Sequence, residues 1–95
     1  MSVVMMIDNP NGSREIYEKV ASGLTLPIGG QVHVAGPRPG GGWRVIEVWD
    51  TEEEARRFLQ EKFGPALRAA GAPGPPPEPE FWPLHRLATT GKVSA

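Results

Sequence analysis

The chain has no cysteine, no long apolar run and no surplus of either charge. Each absence excludes something. Without cysteine there are no disulfides, no thiolate nucleophile and no Cys-ligated metal or iron–sulfur site. Ten Lys and Arg stand against eleven Asp and Glu, interspersed, for a net charge of −1. No basic stripe offers itself to nucleic acid or to an anionic membrane surface. The N-terminal run VVMMI stops at Asp8, too short for a signal peptide or a membrane span. These features lead us to expect a cytoplasmic protein that binds neither nucleic acid nor membrane. Metal ligands are scarce too: the two histidines, His33 and His85, lie far apart in sequence, so no ligand-spacing motif exists and no metal is expected.

Glycine and proline are what the chain has in excess, 12 and 11 among 95 residues. They cluster in GPRPGGG (36–42) and GAPGPPPEP (71–79), and the remainder reads as one folded domain spanning 1–95. GPRPGGG lacks the two marks of a phosphate loop, because no helix follows it and no Gly-Lys-Ser/Thr ends it. Strand-like runs flank it instead, QVHVA (31–35) and WRVIEVW (43–49), so it reads as a hairpin turn.

The other elements follow in order. VVMMI (3–7) is a strand apolar on both faces. Ser13 caps a helix over 14–22 with Ile16, Tyr17, Val20 and Ala21 at helical spacing. Thr51 and Glu54 form a capping box before a second helix carrying Ala55, Phe58, Leu59, Phe63, Ala66 and Leu67, which Gly64-Pro65 should break or kink near its end. LPIGG (26–30) is a loop, 71–79 a stiff extended connector, 80–88 an edge strand bearing Pro83, and 89–95 a frayed end.

The order strand, helix, strand, strand, helix, strand predicts an α+β, ferredoxin-like βαββαβ fold. Its four-stranded antiparallel sheet would have the order 4-1-3-2, with two helices on one face. The uncovered face would be apolar through Val4, Met6, Ile46 and Val48, or through their neighbours. A homodimer packed sheet to sheet is the expected remedy. In this element order the chain resembles the dimeric α/β-barrel superfamily, in particular proteins like the antibiotic biosynthesis monooxygenases. EVWDTEEEARRF (47–58) is similar to the family's Glu-x-Trp strand ending with its capped acidic helix, and PIGGQVHVAGPRPGGGW (27–43) resembles a stretch of small actinobacterial members. The resemblance implies a ligand cavity between helices and sheet, and it puts Trp49 in the place of a cavity-lining Trp.

Period-two alternation sets Trp43, Val45, Glu47 and Trp49 on one face of their strand. A hairpin symmetric about residue 39 would put His33 opposite Val45 and Gln31 opposite Glu47, on that same face. A His beside a Glu, walled by aromatics, suits proton transfer. The expected site therefore has His33 as general base and Glu47 as its orienter. Trp43 and Trp49 would be stacking walls, with Tyr17 and His85 as further substrate contacts. The expected function is a cofactor-independent enzyme of bacterial secondary metabolism, monooxygenase-like or polyketide cyclase-like, acting on an aromatic or polyketide-like substrate. The alternative is a non-catalytic, small-ligand-binding or stress-related dimer of the same fold.

Overall fold

A computed structural model describes residues 1–25 and 29–89. The loop reading of residues 26–28 and most of the frayed end fall outside them.

Strand β1 (Val3–Asn9) leads into helix α1 (Arg14–Ala21), then β2 (Gly30–Pro37), β3 (Trp43–Trp49), helix α2 (Glu52–Phe58), a π-helical turn (Leu59–Phe63), helix α3 (Gly64–Ala69) and β4 (Pro79–Pro83). The four strands form one antiparallel sheet in the order β2-β3-β1-β4, which is the expected ferredoxin-like arrangement. Both expected caps form. Ser13 Oγ accepts from the Ile16 amide, and Thr51 Oγ1 from the Glu54 amide. Among the described residues, no helix is long and apolar enough to cross a membrane.

The sheet has two unlike faces. The helix-covered face buries Met5, Ile7, Val45 and Trp49 against Ala55 and Phe58. The other face carries two rows across the strands, Val32–Val48–Val4–Trp82 and Val34–Ile46–Met6–Glu80, followed by Arg44 beside Asp8. Val34 and Trp82 are among its exposed members.

Three expectations on element boundaries need correction. The hairpin centre is residue 40 rather than 39: Pro37 pairs with Trp43 and His33 with Glu47. The turn itself sets this. The Arg38 amide donates to the Gly42 carbonyl, and Gly40, Gly41 and Gly42 all adopt the positive φ that only glycine takes without strain. Second, of the break or kink expected at Gly64-Pro65, the helix shows no break but a local distortion. Pro65 has no N–H to give, and the Gly64 amide reaches back to the Leu59 carbonyl, so one turn widens and the helix continues. Third, β4 ends at Pro83 rather than near residue 88. Pro83 pairs with Val3 and the Leu84 amide donates to the Ser2 carbonyl, and among the described residues the pairing with β1 goes no further.

Candidate active site

The site is a chain of side-chain hydrogen bonds between α1 and the sheet. It starts at Glu47, the one buried charged residue among those described, with 4% of its surface exposed. A carboxylate at that depth must be bonded on every side. Trp49, two residues on and so on the same face of β3, donates from Nε1 to Glu47 Oε1 at 2.9 Å. His33, directly opposite on β2, has Nδ1 2.7 Å from Glu47 Oε2. Tyr17, from α1, has its hydroxyl 2.6 Å from His33 Nε2.

Those contacts fix the proton positions for a neutral imidazole. An ionised Glu47 only accepts, so His33 Nδ1 carries the hydrogen and donates it. Nε2 is then a lone pair, and the Tyr17 hydroxyl donates to it. Burial raises the pKa of the Tyr17 phenol above its ordinary value, and the negative charges of Glu18 and Glu47 add to this. Tyr17 is therefore a neutral donor at pH 7. If Nε2 gains a proton, the imidazolium keeps its ion pair with Glu47, and the direction of the Tyr17 bond reverses.

A pocket of about 210 Å³ opens beside this chain. Tyr17, His33 and Glu47 form its polar end, and Val20, Leu24, Phe58 and Phe63 are among its apolar walls. It lies between helices and sheet. A smaller cleft of about 30 Å³ adjoins it past Tyr17, beside Trp43. The His33 side chain is about one third exposed, 33% against 5% for Glu47, so the imidazole bridges a buried charge and an open pocket.

His33 and Glu47 thus share the helix-covered face, as periodicity requires, and in direct register rather than offset by two. Tyr17 joins them. Trp43 packs on Tyr17 with ring centroids 5.4 Å apart and lines the smaller cleft. Trp49 departs from its expected role. It is fully buried, it packs on Phe58 at 5.2 Å, and it does not line the 210 Å³ pocket. Its part is to hold Glu47 from behind. Gln31 sits at a register shift between Gly30 and Val32, and its amide turns to Asp50 Oδ1 at 2.6 Å instead of toward Glu47. His85 lies beyond the end of β4, exposed, and lines none of the pocket. The sequence reading missed Thr25, which lines the pocket from the segment after α1 with no motif to mark it. It also missed the two hydrogen bonds that make a chain of the pair, although the Glu-x-Trp spacing carried one of them. Among the described residues, no three His, Asp or Glu side chains gather as a metal cage.

The chain has the fold of SnoaB. SnoaB is a cofactor-independent oxygenase from Streptomyces nogalater. Its crystal structure in a mutant form matches this chain over 96% of each, with a TM-score of 0.51 and 17% sequence identity. At that identity the likeness is one of fold. No protein-family model matches the sequence, and no curated protein matches it.

Proposed function

We propose that this protein is a small cofactor-independent enzyme, oxygenase-like, that removes a proton from an aromatic phenol or enol. The observation that carries this reading is the Glu47–His33 pair at 2.7 Å, with a buried carboxylate behind and a pocket in front. His33 Nε2 takes the substrate proton, Glu47 supports the imidazolium that results, and the substrate is left as an electron-rich anion. Such an anion can pass an electron to dioxygen, as in oxygenase chemistry, or close a ring on a neighbouring carbonyl, as in a cyclase. A fold shared with a cofactor-independent oxygenase favours the first.

The pocket sets the scale of the substrate. A cavity of about 150 Å³ holds a benzene molecule, and drug-sized ligands fill about 300–1,000 Å³. At about 210 Å³, the space favours one aromatic ring, or two fused rings, over an extended polyketide. We place Tyr17 as its aromatic neighbour, with Trp43 packed behind it. A second copy of the chain covers the sheet face turned away from the helices, where Val34 and Trp82 are exposed.

The test is kinetic. With a turned-over phenol in hand, His33→Ala should lower the rate by ~10²–10⁴-fold, the usual share of a general base. Glu47→Gln should cost nearly as much, because it turns the His33 lone pair away from the pocket, and the double variant should cost little more than His33→Ala alone, because the two act as one unit. An undiminished rate in His33→Ala removes the reading. The second reading, a non-catalytic binding protein, draws on the same network. Every polar atom of Glu47 and His33 is already bonded within the chain, as in a purely structural cluster.

A further inference from the structure

Nδ1 of His33 is committed to Glu47, so Nε2 is the only position at which the imidazole can meet a substrate. That position is occupied. The Tyr17 hydroxyl lies 2.6 Å from it, the two rings nearly parallel at 15° with centroids 5.9 Å apart. A general base whose lone pair is already bonded cannot act until that bond is given up. Tyr17 is partly buried and attached to a different element, α1, so its side chain can leave while the His33–Glu47 pair stays in place.

The group that fills the position is itself a phenol. Beyond Cα, a tyrosine side chain is 4-methylphenol in all but name. We infer that the Tyr17 hydroxyl holds the place of a substrate hydroxyl, so that the ligand of this site is a single-ring or two-ring hydroxyarene that displaces Tyr17 from His33 Nε2. This rests on the reading of His33 as the proton acceptor, and it adds both a ligand class and a mask on the base. An apolar ring of the same size can enter the pocket, but it offers no replacement for the broken Tyr17 hydrogen bond. A hydroxyarene replaces it one for one. The mask therefore selects for the hydroxyl, and it lowers the apparent affinity for every ligand by the fraction of time that Tyr17 occupies the site.

The consequence has a sign opposite to that of an ordinary contact residue. If Tyr17 merely held the substrate, removing its hydroxyl would weaken binding. If Tyr17 stands in for the substrate, removal strengthens binding. The experiment is an NMR titration of the full chain with 4-methylphenol, and separately with toluene, following the His33 ring signals. Wild type should bind 4-methylphenol with a shift of His33. Tyr17→Phe keeps the ring and loses only the hydroxyl. It should bind 4-methylphenol about two- to tenfold tighter, the value of the one hydrogen bond that a ligand no longer has to break, and toluene should tighten by a similar factor, with the preference for 4-methylphenol kept. Equal or weaker binding of 4-methylphenol by Tyr17→Phe overturns the inference, and so does an absence of binding to either protein. The underlying reading fails by a different result. In His33→Ala the preference for 4-methylphenol over toluene should vanish. If it persists, the hydroxyl is held elsewhere and His33 is not its partner.

Discussion

Trp49 donates its indole N–H to the carboxylate of Glu47 at 2.9 Å, across two positions of one strand and wholly out of contact with water. The Glu-x-Trp spacing is therefore a structural unit. It fixes one carboxylate oxygen and leaves the other to His33.

Trp49→Phe keeps an aromatic ring in the core and removes this donor. A buried carboxylate oxygen would lose its partner, at a cost of about 1–3 kcal/mol, and the smaller ring would leave some unfilled space beside Phe58. Urea denaturation should show a clear loss of stability. An unchanged midpoint would return Trp49 to the role of a replaceable pocket wall.

Glu47→Gln should switch the tautomer of His33. The amide must turn its oxygen toward the Trp49 N–H, since an NH₂ there would face another donor. Its NH₂ then faces His33 Nδ1, which must accept. The ring hydrogen moves to Nε2, and the Tyr17 bond reverses. Nitrogen chemical shifts of the His33 ring read this directly. Wild type should show a protonated Nδ1 and the variant a protonated Nε2, and identical shifts in both would contradict the hydrogen-bond chain.

Tyr17 is the only tyrosine, so its ionisation can be followed by tyrosinate absorbance without interference. Burial and the nearby Glu18 and Glu47 should hold it protonated beyond its ordinary value of 10.0. The folded state then keeps a proton that the unfolded chain gives up. Stability from this group is complete below pH 10 and declines as pH rises through the folded value. Tyr17→Phe should remove that alkaline decline. A phenol that titrates at or below its ordinary value would place Tyr17 in solvent.

On the other sheet face, Asp8 accepts from Arg44 Nε at 2.6 Å and from a second guanidinium nitrogen at 2.8 Å. These bonds, with the positive charge of Arg44 and a further contribution from Arg38, hold its carboxyl below the ordinary value of 3.8, against an opposing effect of burial. The contribution is present above that value and is lost as pH falls through the lower folded one. Asp8→Asn should therefore be less stable than wild type at neutral pH, and the two should converge in acid. A gap that stays constant with pH would show that the ion pair contributes nothing.

The apolar rows of that same face predict self-association. Light scattering should report twice the chain mass, and Val34→Lys, which places a charge on an exposed apolar position, should shift the chain toward monomer. A stable wild-type monomer would leave the face open to another partner.

Much of this was legible in the residues. Two periodicities and two caps were enough for the element order, and the two most apolar runs marked the inner strands. The shared face of His33 and Glu47 followed from alternation together with an assumed hairpin centre, because an error of two in the register leaves parity intact. What escaped was set by atoms that no pattern encodes. The centre of the hairpin depends on how three consecutive glycines turn. The depth of Trp49 depends on Phe58 arriving from α2 to cover it. The end of β4 depends on where its neighbour begins. The Tyr17 hydroxyl reaches His33 only because α1 crosses the sheet at that height, which is a property of packing rather than of either segment.

The widened turn at Leu59–Phe63 has a bearing on how such a pocket diversifies. Both of its end residues face the cavity. Phe58 and Leu67 are both buried, yet nine residues at 3.6 per turn would set them on opposite sides of a regular helix. The extra residue in the turn absorbs part of that mismatch. In this wall, the number of residues is uncoupled from the distance they span. A lineage carrying such a turn can gain or lose a single codon there and re-aim the side chains that follow, with the helix unbroken and no pocket residue exchanged. Reshaping by insertion is thus open to this fold on the same footing as reshaping by substitution.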